Sequence, residues 1–158
     1  MPTNTDTVSL EGTFTHRLHT LSKLTDRATQ AAYLADADIP FSEGRCLAAI
    51  GAFSPLSVKD LAFRANLNKA QASRAAQTLV DQGLVRKSAS VTDGRGVVLT
   101  ITAKGKRVWQ RLMTVIERRN VEITSCLDAL ERQALDQLID RLVEHARVAA
   151  AGTCDLDS

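Results

Sequence analysis

Aromatic side chains are scarce in this chain: one Trp, one Tyr and four Phe make up 4% of 158 residues. Proteins that hold single-stranded nucleic acid stack successive bases on aromatic platforms, and too few rings are present for that. Cysteines number three, Cys46, Cys126 and Cys154. They are odd in number, widely spaced and without a Cys-x-x-Cys, so neither a disulfide framework nor a zinc cluster is suggested. Long apolar runs are missing too. The longest, Cys46 to Phe53, is eight residues, against roughly 20 for a bilayer span. The opening Met1-Pro2-Thr3-Asn4-Thr5-Asp6 has no basic segment and no apolar stretch of the kind a signal peptide needs. A cytoplasmic protein with no membrane partner is expected. No GxSxG, P-loop, dinucleotide fingerprint or HExxH occurs. The three histidines fall in two clusters, His16 with His19 and His145 alone, without a Ser or Cys partner at catalytic spacing. No enzyme, cofactor or metal is expected.

What is present is an ordinary globular balance, 44% hydrophobic and 24% charged, at a length that suits one domain. The net charge of +2 conceals an asymmetry. Residues 57–111 hold eleven Lys or Arg against Asp60, Asp81 and Asp93, so this segment carries +8 and the remainder −6. A basic middle between acidic ends is expected where one part of a protein faces a polyanion, although a solvated face clusters charge as well.

Hydrophobic spacing supplies the elements. Phe14, Leu18, Leu21, Ala28, Ala32 and Ala35 recur at helical intervals from Leu10 onward, and Asp38 with Pro40 ends that helix. Ser42-Glu43 reads as the start of a second, with Cys46, Leu47 and Ile50 inward and a stop near Ser54-Pro55. Ser57 is a cap for a short helix carrying Val58, Leu61 and Ala62. Asn66-Leu67-Asn68 is a turn that pins one leucine. Asn68 caps the next helix, whose apolar stripe is Ala72, Ala75, Ala76, Leu79 and Val80, and Gly83 stands where a helix terminator is wanted. Two short helices around a tight turn make a helix-turn-helix. Leu84 to Val91 then reads as a strand, Thr92-Asp93-Gly94-Arg95-Gly96 as a turn, and Val97 to Ile101 as the returning strand. The hairpin completes a winged helix. Thr102 caps a long helix with Val108, Leu112, Val115, Ile116 and Ile123 near one stripe, and a last helix carries Leu130, Leu135, Leu138, Ile139, Leu142, Val143 and Ala146.

The expected fold is therefore mainly α with a small β-hairpin wing: a winged helix-turn-helix between N- and C-terminal dimerisation helices. The expected layout is a disordered tail at 1–9, one domain at 10–152 and a tail at 153–158. Within that domain the DNA-binding lobe is placed at about 42–102 and the dimerisation helices at about 10–37 and 103–151. A monomeric helical bundle is the plainer alternative for the terminal helices.

With the alanine stripe inward, Lys69, Ala70, Gln71, Ser73, Arg74 and Gln77 face outward at the front of the second short helix. Arg takes guanine O6 and N7 together, Gln takes adenine N6 and N7, and small Ala70 and Ser73 permit close approach. The N-terminal part of such a helix reads bases in the major groove of double-stranded DNA. Arg95 on the hairpin tip suits a narrow minor groove. Asp93 either orients Arg95 or merely supplies the Asp-Gly turn. Arg86 and Lys87 on the stem suit phosphates.

At these residues the chain resembles the multiple-antibiotic-resistance regulator (MarR) family. The likeness rests on Ser57-Val58-Lys59-Asp60-Leu61-Ala62, on Asn68 through Arg74, and on Leu79-Val80-Asp81-Gln82-Gly83-Leu84-Val85-Arg86. It extends to the wing Asp93-Gly94-Arg95 and the junction Leu99-Thr100-Ile101-Thr102-Ala103-Lys104-Gly105. The resemblance implies a homodimeric repressor of a near-palindromic operator, released by a small ligand, often an aromatic acid. Ser57 and Lys59, at the start of the first short helix, join the DNA-contact set. Gly96 stands where the family often has a second basic residue, which implies a weaker minor-groove hold.

An anionic effector needs a cation beside an apolar wall. His16, Arg17 and His19 on the first helix and Arg45 on the second are the candidates, with Trp109 as either pocket wall or core. Thiol control is a rival. Peroxide-sensing members of the family use a cysteine near the start of the first helix, which this chain lacks. Cys46 in an apolar run reads as inert packing, and Cys154 near acidic residues has its thiolate disfavoured. A winged helix serving as a protein-interaction module is the further alternative.

Overall fold

The structure, a computed structural model, describes residues 8–91 and 96–154. Most of the expected N-terminal tail, the wing-tip residues Asp93 and Arg95, and residues 155–158 lie outside the described residues, as does the Cys154 side chain. The chain divides into two compact units, residues 1–119 and 120–158.

In the first unit a 3-10 turn, Leu10–Gly12, leads into α1 (Phe14–Ala32), which widens into a π-helical turn at Tyr33–Ala37. Asp38, at φ 51°, breaks it, as the sequence indicated. Then α2 (Phe41–Phe53) begins one residue before the expected Ser42, with Pro40 at its cap. The reason is Phe41. Taken into the helix, its ring lies 5.6 Å from that of Tyr33 and 4.3 Å beneath the Arg45 guanidinium. Proline before it holds φ at −63° and has no N–H to satisfy.

The helix-turn-helix follows as α3 (Val58–Arg64) and α4 (Lys69–Asp81), then the antiparallel hairpin β1 (Val85–Ala89) and β2 (Val97–Ile101), then α5 (Ala103–Ile123). Val85 pairs with Ile101 and Ala89 with Val97. Leu56, just ahead of α3, exchanges both backbone hydrogen bonds with Leu99 (3.1 and 2.8 Å). One core runs through these elements: Cys46, Leu47, Ile50, Leu61, Ala72, Leu79, Leu99 and Leu112 are all fully buried. Each such leucine contributes roughly 1.5–3 kcal/mol of burial. Trp109 is half-buried and packs against this core. Its ring lies against Gly51, where a Cβ would stand 2.2 Å from it, and its Nε1–H donates to the Ala48 carbonyl at 3.3 Å.

The junction between α4, the hairpin and α5 is the tightest part of the unit. Gly83, at φ 71°, turns the chain out of α4. Its N–H donates to Val80 O (2.9 Å) and that of Leu84 to Leu79 O (2.9 Å), the two bonds of a Schellman cap. The Thr102 hydroxyl donates to Gly83 O (2.7 Å) and accepts from the Gly105 N–H (3.0 Å), so one side chain closes α4 and starts α5. Lys104 Nζ donates to Gln82 O (2.9 Å), a cation at a helix C-terminus, where the dipole favours it. A Cβ at Gly105 would lie 1.9 Å from Leu84 O.

The second unit contains the end of α5 and α6 (Ala129–Cys154). Asp128 and Glu131 form a capping box, each backbone N–H donating to the other's carboxylate at 2.9 Å. This helix runs three residues beyond the expected Ala151. Leu135, Leu138, Ile139, Leu142 and Val143 form a stripe along it, yet all are 37–52% exposed. The stripe on α1 (Phe14, Leu18, Leu21, Leu24) is likewise exposed. Among the described residues no helix is long and apolar enough to cross a membrane.

Gly105→Ala is expected to destabilise the protein by about 3 kcal/mol or more, because the obstructing atom is a backbone carbonyl within the Schellman turn. Thermal unfolding followed by circular dichroism measures it, and an unchanged midpoint would contradict the packing described.

Candidate nucleic-acid interface

The local sequence makes α4 a helix that starts sharply and has two chemically distinct faces. Asn68 Oδ1 accepts from the Gln71 N–H (2.8 Å) while Gln71 Oε1 accepts from the Asn68 N–H (3.2 Å), a complete capping box. Asn66 at φ 53° and a half-buried Leu67 shape the turn before it. Ala72, Ala75, Ala76 and Leu79 are at most 2% exposed. The opposite side presents Lys69, Ala70, Ser73, Arg74 and Gln77, all exposed. Among the described residues that face holds four polar or cationic side chains and a methyl group, and its carboxylate, Asp81, sits at the far end of the helix.

Two of the sequence candidates on this face have local duties. Gln71 is half-buried and its amide oxygen is committed to the cap. Gln77 is held at both ends: its Nε2–H donates to Asp81 Oδ1 (2.8 Å) and its Oε1 accepts from Lys87 Nζ (2.6 Å). Strand alternation puts Lys87 on the α4 side of β1 and Arg86 on the other, so the two stem cations do not act as a pair. Ser57 caps α3, accepting from the Asp60 N–H (3.1 Å) and donating to its carboxylate (2.9 Å); Lys59 is exposed one turn away. The Gln77–Asp81 spacing was visible in the sequence as an i, i+4 pair. Nothing in the sequence announced that Lys87, on another element, completes it.

The four effector candidates are not brought together. His16 is half-buried and Arg17 and His19 exposed on α1, and a groove along that helix takes in His19, Ser22, Lys23, Asp26, Arg27 and Gln30. Arg45 belongs elsewhere. Its Nη2 meets Asp26 Oδ1 at 3.0 Å, and it stacks on Phe41 beside buried Tyr33. Burial lifts the Tyr33 phenol above its ordinary range, with Arg45 opposing and Asp26 adding to the rise. The Cys46 thiol is pushed up to about 12, first by burial and then by the nearby Glu43 charge, which leaves it about one part in ten thousand ionised at pH 8. Cys126 is exposed. Among the described residues no cluster of His, Cys, Asp or Glu could hold a metal ion.

A short-helix pair, a hairpin behind it and an outward edge on the second helix define a winged helix-turn-helix, and a family model described as MarR family matches residues 37–96. Over those residues the chain is similar to the MarR family. The HTH-type transcriptional repressor Rv2887 of Mycobacterium tuberculosis is 25% identical over 116 residues, 73% of this chain and 84% of the relative. Its structure in complex with salicylic acid covers 82% of this chain and 96% of its own, with a TM-score of 0.69 and 24% identity. The PcaV transcriptional regulator of Streptomyces coelicolor, solved with its natural ligand, has a TM-score of 0.69 and 25% identity over 88% of this chain and 97% of that one. A MarR-family regulator from Silicibacter pomeroyi reaches a TM-score of 0.74 at 21% identity over 87% and 92%, a likeness of fold. The matched family and these relatives are transcriptional regulators rather than enzymes.

Thiol labelling separates the two described cysteines, Cys46 and Cys126. With an alkylating reagent at pH 8, Cys126 is expected to react within minutes and Cys46 only after unfolding, because the thiolate is the nucleophile. Peptide mass spectrometry reads this out, and rapid native labelling of Cys46 would contradict its burial.

Proposed function

We propose that this regulator is a cytoplasmic homodimer that represses transcription by laying α4 of each copy into successive major grooves of a near-palindromic operator, and that a small aromatic acid releases it. The single observation that carries the reading is the two-sided α4. Its alanine edge is buried, while Lys69, Ala70, Ser73 and Arg74 stand clear at its N-terminal half, the part that contacts base edges in this motif. Arg74 is the base reader in this scheme. Lys69, Lys59 and Arg86 hold phosphates, with Ser57 at the α3 N-terminus beside them. The wing residues Asp93 and Arg95 add a minor-groove contact.

Dimerisation is supported by the exposed apolar stripes on α1 and α6. Contiguous leucine and phenylalanine faces of that size on a soluble chain mark an association surface, and a two-fold partner is the commonest way to cover them. The domain layout expected from the sequence, with a DNA-binding lobe at about 42–102 between dimerisation helices, belongs to this proposal.

The effector follows from chemistry and from the salicylic acid seen in the Rv2887 relative. Of the four cations, Arg45 is the one stacked on an aromatic ring, that of Phe41, so an aromatic carboxylate there replaces Asp26 as its partner. His19 lines the α1 groove, with His16 and Arg17 earlier on the same helix, and these three are secondary. The high Cys46 pKa weighs against thiol control.

The experiment is fluorescence anisotropy with duplexes at graded salt. Affinity for a selected operator is expected to fall steeply and linearly in log–log form as salt rises. Arg74→Ala should lose roughly ten- to a hundredfold on that operator and little on random duplex; equal loss on both assigns Arg74 to phosphate. Light scattering on dilute protein should give a dimer mass. No duplex binding at low salt would overturn the reading in favour of a protein-interaction module. Salicylate at millimolar concentration is expected to weaken the operator complex of the unaltered protein and leave that of Arg45→Met unchanged. An equal response from both would remove Arg45 from the effector site.

A further inference from the structure

The hydrogen-bonded chain Lys87–Gln77–Asp81 is more than surface decoration. Lysine can only donate and carboxylate can only accept, so a residue between them must offer an acceptor on one side and a donor on the other. Of the side chains long enough to reach both, a glutamine amide does this with one fixed orientation. Glutamate at 77 would face Asp81 with a second carboxylate, and lysine would repel Lys87. The distances, 2.8 Å to Asp81 and 2.6 Å to Lys87, show both bonds made at once.

The placement matters because it ties the hairpin to α4 away from the hairpin's base, where the Schellman turn at Gly83 and Leu84 feeds directly into β1. Elsewhere the hairpin is held through β2, where Leu99, the partner of Lys87, exchanges backbone hydrogen bonds with Leu56. Gln77 stands six residues before Gly83, roughly 9 Å up the helix axis, and Lys87 is two residues into β1 from Val85. The base and the Leu56–Leu99 bridge hold the hairpin to the head, and the Lys87–Gln77 contact sets its position against α4. Gln77 itself lies in the third turn of α4, behind the N-terminal residues that meet base edges in such motifs.

We propose that Gln77 is a positioning residue, a strut that sets the angle of the wing relative to the recognition helix, and that Lys87 and Asp81 are its two anchors rather than independent surface charges. The inference rests on the DNA-binding reading for its consequence in function, since helix and wing must meet neighbouring grooves at one fixed spacing, but its structural part stands without DNA.

The test uses the full chain and the variants Gln77→Ala, Gln77→Glu, Asp81→Ala and Lys87→Met. Without DNA, 15N relaxation of the amides of Arg86–Ala89 is compared with that of α4. Unaltered protein should show a hairpin as rigid as the helix, with order parameters near 0.85, and Gln77→Ala and Lys87→Met should lower the hairpin values while leaving α4 unchanged. With a selected operator, all four variants should lose affinity by about three- to tenfold, the worth of one such hydrogen bond. Gln77→Ala with Lys87→Met should lose no more than either alone, because the contact is already broken. Unchanged hairpin dynamics in Gln77→Ala and Lys87→Met would overturn the strut. So would normal operator binding by Asp81→Ala and Lys87→Met alongside a base-specific loss in Gln77→Ala, which would make Gln77 a reader. A protein that binds no duplex but loosens its hairpin on Gln77→Ala would uphold the strut and overturn the DNA reading.

Discussion

The seating of α4 on alanines is the constraint from which the rest of the winged head follows. Ala72, Ala75 and Ala76 bring little bulk to the buried side, so α4 sits close against α2 and α3 while one large residue, Leu79, anchors it in the core. Close packing of small residues fixes rotation about the helix axis as firmly as it fixes distance, because a turn of even a few tens of degrees would drive Arg74 or Gln71 into the core. Rotation in turn decides which side chains stand outward. The identity of the exposed edge is therefore a consequence of buried methyl groups, and the polar residues gain their function from a position they do nothing to create.

A second constraint ties that helix to its neighbours. The C-terminus of α4, the base of the hairpin and the start of α5 share a small set of backbone groups. Thr102 serves two helices with one hydroxyl, Lys104 caps the carbonyl of Gln82, and Gly105 leaves room for Leu84 O. The junction motif at residues 99–105 is thus a packing solution rather than a contact surface. Few residue types satisfy it, which is why it reads so distinctly in the sequence.

Much of this was legible before any coordinates, and for physical reasons. The helical period, the Asn68 cap, the Gly83 terminator and the change to period two after Leu84 are all local signals, and each marked its element correctly. The Ser42 start missed by one residue because Phe41 is drawn into α2 by Tyr33 and Arg45, contacts that span the chain. The same limit explains the site. Spacing showed that Gln71 and Gln77 face away from the alanines, but it could not show that one is spent on the cap and the other on Lys87. Nor could it separate Arg45 from the α1 cations, since its partner Asp26 lies nineteen residues upstream. Caps and element boundaries set within one helix were read well; hydrogen-bond partnerships that reach another element were not.

The account stands on α4 meeting duplex DNA as one of a symmetric pair. Selection of bound sequences from a pool of random duplexes tests this most directly, because it assumes no operator. The expected result is enrichment of an inverted repeat whose half-sites are centred one helical turn, about 10–10.5 base pairs, apart. Recovery of no preferred sequence, or of a single unrepeated site, would contradict it.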